Sequence, residues 1–381
     1  MSFLSYIIWT ADPEFFTIPF LDRSVRYYGL LFAVGFLISQ QIMFYIYRKE
    51  GKPEKDVETL TVYMIIATII GARLGHVLFY EPDKYLANPL DILKIWEGGL
   101  ASHGAAFGIL FALWLYTKYD IRFKGFRLIA QKIKRPGQNW LQVVDRIVIV
   151  VALTGCLIRF GNFMNHEIYG VPTASNYGVV FTNNVKEVFS GSRSPVANID
   201  FDKRQGELSA DGNVPIKLHV TLKDHPDLRS EAMVKSYIEG RFKNILTSYN
   251  YVAEHIDAGD DFDYELTQNR DGNFEVSINT YGVARHPTQL YESGTSLLIF
   301  FLLFFIWTRY RAQTPPGLLL GLFLILLFGL RFVHELFKEN QVAFEESLQF
   351  NMGQILSIPL ILAGILILVR ALKKGPVEIT D

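Results

Sequence analysis

The chain has 381 residues, half of them hydrophobic and 14% aromatic, with 30 Phe and 19 Tyr, and a mean hydropathy of +0.20, a balance that points to lipid rather than water as the main solvent. A formal net charge of -1 excludes the global basic field by which proteins gather nucleic acid, so no nucleic-acid partner is expected. The single cysteine, Cys156, excludes an internal disulfide and a thiolate metal cluster; it sits in an apolar run and reads as a small packed core residue.

The N-terminus, MSFLSYIIWTADPEFF, lacks a basic n-region and a long apolar h-region, so a cleaved signal peptide is not expected there. Seven later stretches approach the roughly 20 mostly apolar residues a membrane span requires: 27–47, 60–80, 100–116, 143–163, 290–307, 317–333 and 353–369. Glycines recur four residues apart within them, as Gly71/Gly75, Gly104/Gly108 and Gly317/Gly321, which predicts close helix packing. The loops RKEGKPEKD, KYDIRFKGFRLIAQKIKRPGQ and TRYRAQTPP and the tail RALKKG are basic. With seven spans all four fall on one side, which the positive-inside rule makes the cytoplasm. That places the N-terminus outside and the C-terminus inside.

Between the fourth and fifth spans the chain turns polar, with DGN, DHPD, DAGDD and NRDGN turns. IKLHVTL and NFEVSIN alternate like strands, and SEAMVKSYIEGRFKNILTSYNYVAEHI reads as a helix. The expected fold is therefore an all-α polytopic membrane protein, seven transmembrane helices with a small α+β extracytoplasmic insertion. Its domains are 1–170 (membrane helices 1 to 4), 171–283 (the insertion) and 284–381 (helices 5 to 7). No internal repeat or low-complexity tract is evident, and no metal-ligand spacing stands out.

Several spans carry charges that cost several kcal/mol in lipid unless they face a cavity or a partner. Arg73 and His76 lie in the second, His103 in the third, Arg159 in the fourth, Glu292 in the fifth, and Arg331, His334 and Glu335 in the sixth. Under the seven-span topology they converge, with Arg26, Tyr28, Arg285 and His286, on the outer leaflet side. The inner ends carry loop lysines and are expected to hold few buried carboxylates. Snorkelling would populate both ends, so a shared polar cavity near the outer leaflet is the better reading. Arginine grips a phosphate bidentately and stays charged; histidine can take a proton from an attacking nucleophile. The chemistry implied is nucleophilic attack on a phospholipid, with arginine stabilising the departing phosphate. A secondary transporter is the main alternative, but the polar groups sit off the midplane and no repeat is seen. An intramembrane protease lacks both a GxSG-type serine and a paired aspartate motif.

The blocks VRYYGLLFAVGF, GARLGHVLFYEPDKYLANPLDILKIWEGGLASHGAAFG, RFGNFMNHEIYG, RHPTQLYE, GLFLILLFGLRFVHELFKENQ and NMGQILSIP, in that order, resemble the prolipoprotein diacylglyceryl transferase family over nearly all of the membrane part. The resemblance implies transfer of the diacylglyceryl group of phosphatidylglycerol to the lipobox cysteine thiol of a preprolipoprotein signal peptide, with glycerol 1-phosphate leaving, at the outer leaflet of the bacterial inner membrane. The partners it implies are phosphatidylglycerol, the preprolipoprotein and membrane lipids; no metal or organic cofactor is expected. Carried over by motif, His103 is the candidate general base or proton relay, and Arg159 and Arg331 the candidates for the lipid phosphate. Tyr28, Asn162, Asn165, Glu167 and Gly170 would shape the headgroup site. Glu335 would steady an arginine, Arg285 and His286 would sit at the rim, and Arg73 would bridge helices. The chain departs from the family pattern at Ile158, usually Gly, and in LLFGLR, where a tyrosine often precedes the arginine. The insertion is also longer than usual; whether it grips the preprolipoprotein is open.

Overall fold

The computed structural model describes residues 6–19, 23–95, 98–124, 127–191, 194–259, 262–269, 272–339 and 349–377. The chain opens with β1 (Ile7–Trp9) and an antiparallel pair, β2 (Glu14–Ile18) and β3 (Arg23–Arg26), the latter followed directly by helix α1 (Tyr27–Lys49). Then come α2 (Glu54–Phe79), the short α3 (Pro82–Ala87), α4 (Ser102–Lys118), the antiparallel strands β4 (Tyr119–Lys124) and β5 (Arg127–Lys132), and α5 (Trp140–Met164). The inserted segment carries β6 (Val179–Phe181), α6 (Asn183–Phe189), β7 (Val196–Lys203), β8 (Val214–Leu222), α7 (Glu231–Tyr237), α8 (Lys243–Ser248), α9 (Asn250–Ala253), β9 (Ile256–Asp257), β10 (Asp263–Gln268) and β11 (Phe274–Gly282). The chain ends on α10 (Thr288–Tyr310), α11 (Leu318–His334) and α12 (Met352–Lys374).

Six helices, α1, α2, α5, α10, α11 and α12, are long and apolar enough to cross a membrane. The expected third span falls on α4, which is not among the six; its 17 residues lie at the lower limit for a bilayer. The protein is thus a mostly helical polytopic membrane protein with some sheet. The side chains say the same: Val62, Ile66 and Ile70 on α2 and Leu356, Leu362, Leu366 and Leu372 on α12 are exposed. Water would penalise such rows, whereas lipid accepts them.

By compactness the chain divides into two units. One comprises Met1–Phe32, Leu157–Ser293 and Phe332–Gly353; the other comprises Ala33–Cys156, Gly294–Arg331 and Gln354–Asp381.

In the second unit the glycine pairs do what their spacing predicts. A Cβ on Gly71 would lie 2.6 Å from the Gly104 carbonyl oxygen, and one on Gly321 would lie 2.8 Å from the Leu368 amide nitrogen. Backbones therefore touch between α2 and α4 and between α11 and α12. Cys156 is buried, as expected.

The helix ends flanked by the basic loops differ from expectation. They hold a dense buried ionic cluster rather than few buried carboxylates. Glu50 accepts from Arg146 Nε (2.9 Å), Lys52 Nζ (2.5 Å) and the Trp307 indole (2.7 Å), with the Glu50 side chain 0% and that of Arg146 1% exposed. Asp145, also fully buried, accepts from the amides of Gly317 (2.7 Å) and Leu320 (2.8 Å) and so caps the start of α11. Gln138 accepts from the Tyr116 hydroxyl at 2.6 Å and donates to Asp56 at 2.6 Å. Glu50, Lys52 and Asp56 lie within the basic loop RKEGKPEKD and read as solvated until the fold buries them, whereas Asp145 and Arg146 lie in the first turns of α5.

In the first unit, strands run antiparallel in the order β10-β11-β8-β7, with β9 paired to the end of β11. IKLHVTL and NFEVSIN form β8 and β11, and their alternation puts Ile216, Leu218, Val220, Val276 and Ile278 in the core. Val234, Ile238, Phe242, Leu246 and Val252 from the helical stretch cover them. Each such side chain contributes roughly 1.5–3 kcal/mol by its burial. The single helix expected over 230–256 is instead broken by a π turn at Ile238–Phe242 and a bend at Tyr249. The register shift keeps Ile238 and Phe242 both buried. The N-terminal strands were not foreseen: β1 pairs in parallel with β6, and the Tyr6 hydroxyl donates to Pro215 O at 2.5 Å. The entry and exit of the inserted segment are stitched together by Gly170 N–His286 O (2.9 Å), Thr173 N–Ala284 O (2.8 Å) and the reciprocal bonds of Val179 and Arg285 (both 2.9 Å).

Two predictions follow from these interiors. Glu50→Ala strands Arg146 without its buried partner and is expected to cost about 3–5 kcal/mol. Arg48→Ala breaks only the exposed pair with Glu54 and is expected to cost about 0–1 kcal/mol; thermal unfolding in detergent compares the two. In the sheet module, His255 is fully buried, and its Nε2 accepts from Asn184 Nδ2 (2.8 Å) and faces the Tyr169 hydroxyl (3.2 Å), which requires a neutral ring. Burial pushes its pKa down to about 3. The unfolded chain therefore binds the extra proton first, so this contribution is complete above about pH 6.5 and is lost as the pH falls toward about 3. Melting curves between pH 7 and 4 should flatten in His255→Gln relative to the parent.

Candidate active site

The site in the first unit begins at the C-terminal turn of α5. Arg159 stands on its last full turns, and its Nε lies 2.7 Å from Glu292 Oε2 on α10. Among the described residues neither Nη of Arg159 takes a protein partner, so the open end of the guanidinium fork is available. Glu292 Oε1 also accepts from Lys338 Nζ at 2.5 Å, and Lys338 reaches Glu335 at 3.2 Å. Glu335 in turn receives Asn351 Nδ2 at 3.3 Å. A Cβ on Gly353 would lie 2.5 Å from the Glu335 carboxyl carbon, so this glycine makes room for that carboxylate. His334 lies close enough to Glu292, Glu335, Lys338 and Arg159 to feel their charges.

Arg159 is followed, within the last turns of α5, by Gly161 and Asn162, and the chain leaves the helix after Met164. Gly161 lets α1 approach: a Cβ there would be 3.0 Å from Tyr28 Cα and 3.1 Å from its ring. Tyr28 is thereby placed within electrostatic reach of Arg159 and Glu167. Asn162 and Asn165 both donate to Glu167 Oε1, at 2.8 and 3.3 Å. Their own amide oxygens are buried without a partner among the described residues, two acceptors waiting for donors.

The backbone around Glu167 is strained. His166 and the β-branched Ile168 both have positive φ, 54° and 59°, which is rare for such side chains. RHPTQLYE holds this turn: Thr288 Oγ1 donates to Ile168 O (3.1 Å) and Gln289 Nε2 to Glu167 O (2.7 Å). His166 adds a bond to Ala11 O at 2.8 Å. Gly170 is needed where the returning strand passes, because a Cβ would lie 2.7 Å from Thr288 Cγ2 and 2.9 Å from His286 Cβ. Arg285 is buried and spends its donors on Glu254 O (3.1 and 2.9 Å), Gly170 O (3.2 Å) and Glu339 (2.5 Å). It is a strap between segments rather than an open cation. His286 is half-buried, with its Nδ1 3.2 Å from the Tyr291 hydroxyl.

The second unit holds the remaining candidates. His103 opens α4, edge-on to Phe79 (5.4 Å) and stacked on Tyr80 (5.7 Å). Tyr80 stacks in turn on His76, whose Nε2 is 3.2 Å from Glu81. Among the described residues neither nitrogen of His103 takes a hydrogen bond, so both are open to a substrate. Arg73 donates five bonds, 2.6 to 3.2 Å long, to the carbonyls of Asp91, Ile92, Lys94, Gly98 and Gly99. It ties down the segment after α2 through that segment's carbonyls, a structural role, but not the expected bridge between helices. Arg331 lies on α11, one helical turn before Glu335.

Sequence reasoning missed Lys338, Thr288, Gln289 and Asn351, and noted Glu292 only as a misplaced charge. All five lie inside the quoted motif blocks, whose side chains hold one another; spacing alone does not reveal such partners.

Fold and site define a polytopic helical membrane protein with paired charges at the ends of spanning helices and a folded α+β module between α5 and α10. The chain belongs to the prolipoprotein diacylglyceryl transferase family, whose model matches residues 13–370. It is similar to the phosphatidylglycerol–prolipoprotein diacylglyceryl transferase of Tolumonas auensis, with 33% identity over 97% of this chain and 98% of the relative. Its identity to the enzymes so named from Porphyromonas gingivalis (98% of this chain, 97% of the relative) and Chloroherpeton thalassium (99% and 98%) is 32% and 30%.

Proposed function

We propose that this chain transfers the diacylglyceryl group of phosphatidylglycerol to the lipobox cysteine thiol of a prolipoprotein, the first step of lipoprotein maturation. The carrying observation is the likeness over almost the whole length to enzymes named for that reaction. In the step itself the thiolate sulfur attacks the glyceryl carbon that bears the phosphate. A carbon–sulfur bond forms, the carbon–oxygen bond to phosphate breaks, and glycerol 1-phosphate leaves with the bond's electron pair.

The site residues fit parts of that reaction. Arg159, held at Nε by Glu292, offers both Nη groups to the phosphate and stabilises the charge that grows on it. Lys338 balances Glu292, so the carboxylate does not draw the guanidinium fully to itself. Arg331 is the second phosphate cation. The unpartnered amide oxygens of Asn162 and Asn165 suit the hydroxyls of the glycerol headgroup, and Glu167 orients both amides. His103, with its nitrogens open, takes the thiol proton. Tyr28 and Gly170 shape the headgroup pocket, Glu335 fixes Lys338, His286 lies at the rim, and Arg285 holds the rim's backbone.

The chain sits in the bacterial inner membrane with the site toward the outer leaflet, seven helices across, N-terminus out and C-terminus in. α4 is the seventh span, short but pressed onto α2 through glycines. The membrane helices then fall in 1–170 and 284–381, with 171–283 as the extracytoplasmic module.

The test is a thiol peptide carrying a lipobox, mixed with phosphatidylglycerol and the purified chain, with glycerol phosphate release as readout. Arg159→Ala and His103→Ala are each expected to lower turnover by about 100-fold or more while still inserting in membranes; full activity in either removes that residue from the mechanism. A reporter fused after Asp381 should read out in the cytoplasm, and an external signal would overturn the topology.

A further inference from the structure

The strand pair β2 and β3 has no role in the chemistry above, yet it carries an unusual surface. The register steps from Glu14 opposite Arg26 to Phe16 opposite Val25, so Phe15 is an extra, bulged residue. In a regular strand neighbours point to opposite faces; here Phe15 and Phe16 are both about half exposed, at 53% and 50%. The Phe15 ring contacts both Phe16 (5.7 Å) and Tyr27 (5.2 Å). Arg26 beside them is exposed as well. An isolated two-stranded pair is marginal in water, and adjacent exposed aromatics on it make it a hazard.

Its place in the chain identifies what covers it. Tyr27, bonded through its amide to Pro13 O at 3.0 Å, is the first residue of a membrane-long apolar helix. The rings therefore start where water meets lipid, the depth at which aromatic side chains collect. The next residue, Tyr28, lies against Gly161, two residues from Arg159. We propose that β2 and β3 form a wedge in the outer leaflet. Phe15 and Phe16 enter the acyl boundary and Arg26 stays among the lipid phosphates, loosening the leaflet beside the headgroup site so that a phospholipid can be drawn up to it. The wedge rests on the transferase reading for its purpose, but its membrane depth does not.

The tests use the full chain in vesicles of phosphatidylglycerol and phosphatidylethanolamine. Because Cys156 is the single cysteine, a spin label can be placed at Phe16→Cys in a Cys156→Ala background. It should sit about 5–10 Å below the headgroups, open to oxygen and shielded from a water-soluble nickel relaxant. A control label at Asn198→Cys on the exposed part of β7 should be open to the nickel reagent. Nickel access at position 16 equal to the control, or shielding there from both reagents as a protein partner or second copy would give, overturns the wedge. Replacing both rings (Phe15→Ser with Phe16→Ser) should raise the apparent KM for phosphatidylglycerol about fivefold in vesicles, with kcat unchanged, and leave both unchanged in detergent micelles, where no leaflet has to open. An equal effect in both media, or none in either, also overturns it. Failure of the transferase reading would show separately, as a parent chain that makes no product in either medium; the wedge then stands or falls on the spin label.

Discussion

A charge taken out of water has to bring its partner with it. That constraint shapes both units of this molecule. Arg159 has Glu292, which is shared with Lys338; Arg146 and Lys52 share Glu50; Arg73 is satisfied by five carbonyls. None of these groupings is a simple pair. Each carboxylate takes more than one donor, and a guanidinium's spare nitrogens are spent on backbone oxygens wherever they are not left open. The exception is Arg159, the one arginine of the first unit's charge cluster with both Nη groups unspent among the described residues. Arg159 is only half-buried, and a guanidinium fork left unspent there suits an anionic ligand.

The same economy explains why the site's backbone can hold an unfavourable shape. Two non-glycine residues with positive φ flank Glu167. Thr288 and Gln289 grip the carbonyls of that turn, and His166 is tied back to Ala11. The strain is local, while its support comes from a segment more than a hundred residues away. The carboxylate of Glu167 and the two amides that serve it are therefore positioned by backbone geometry more than by side-chain choice.

Much of this was legible in the sequence. Long apolar runs gave the helices, because lipid permits little else to cross it, and alternation gave β8 and β11. The glycine spacings announced the touching backbones of α2 and α4. Arg159, Asn162, Asn165 and Glu167 stood out because they share one short block. What stayed hidden depends on pairing at a distance. β1 is three residues whose partner, β6, lies some 170 positions on. Glu50 and Lys52 sit in a basic loop and look solvated until Arg146 and Trp307 close over them. Lys338 looks like a loop lysine until it reaches Glu292. The helix over 230–256 was recognised by its composition, but the π turn that breaks it follows from which faces must meet the sheet.

The stitched neck of the inserted segment carries a consequence of its own. Gly170 meets His286, Thr173 meets Ala284 and Val179 meets Arg285, so the two chain ends are fixed side by side whatever lies between them. Once such a neck is closed, lengthening the loop beyond it costs only about 0.6 kcal/mol per doubling. Additions made inside the neck leave α5 and α10 where they are. The neck thus works as a socket: the α+β segment beyond it can be enlarged or replaced without retuning the helices on either side.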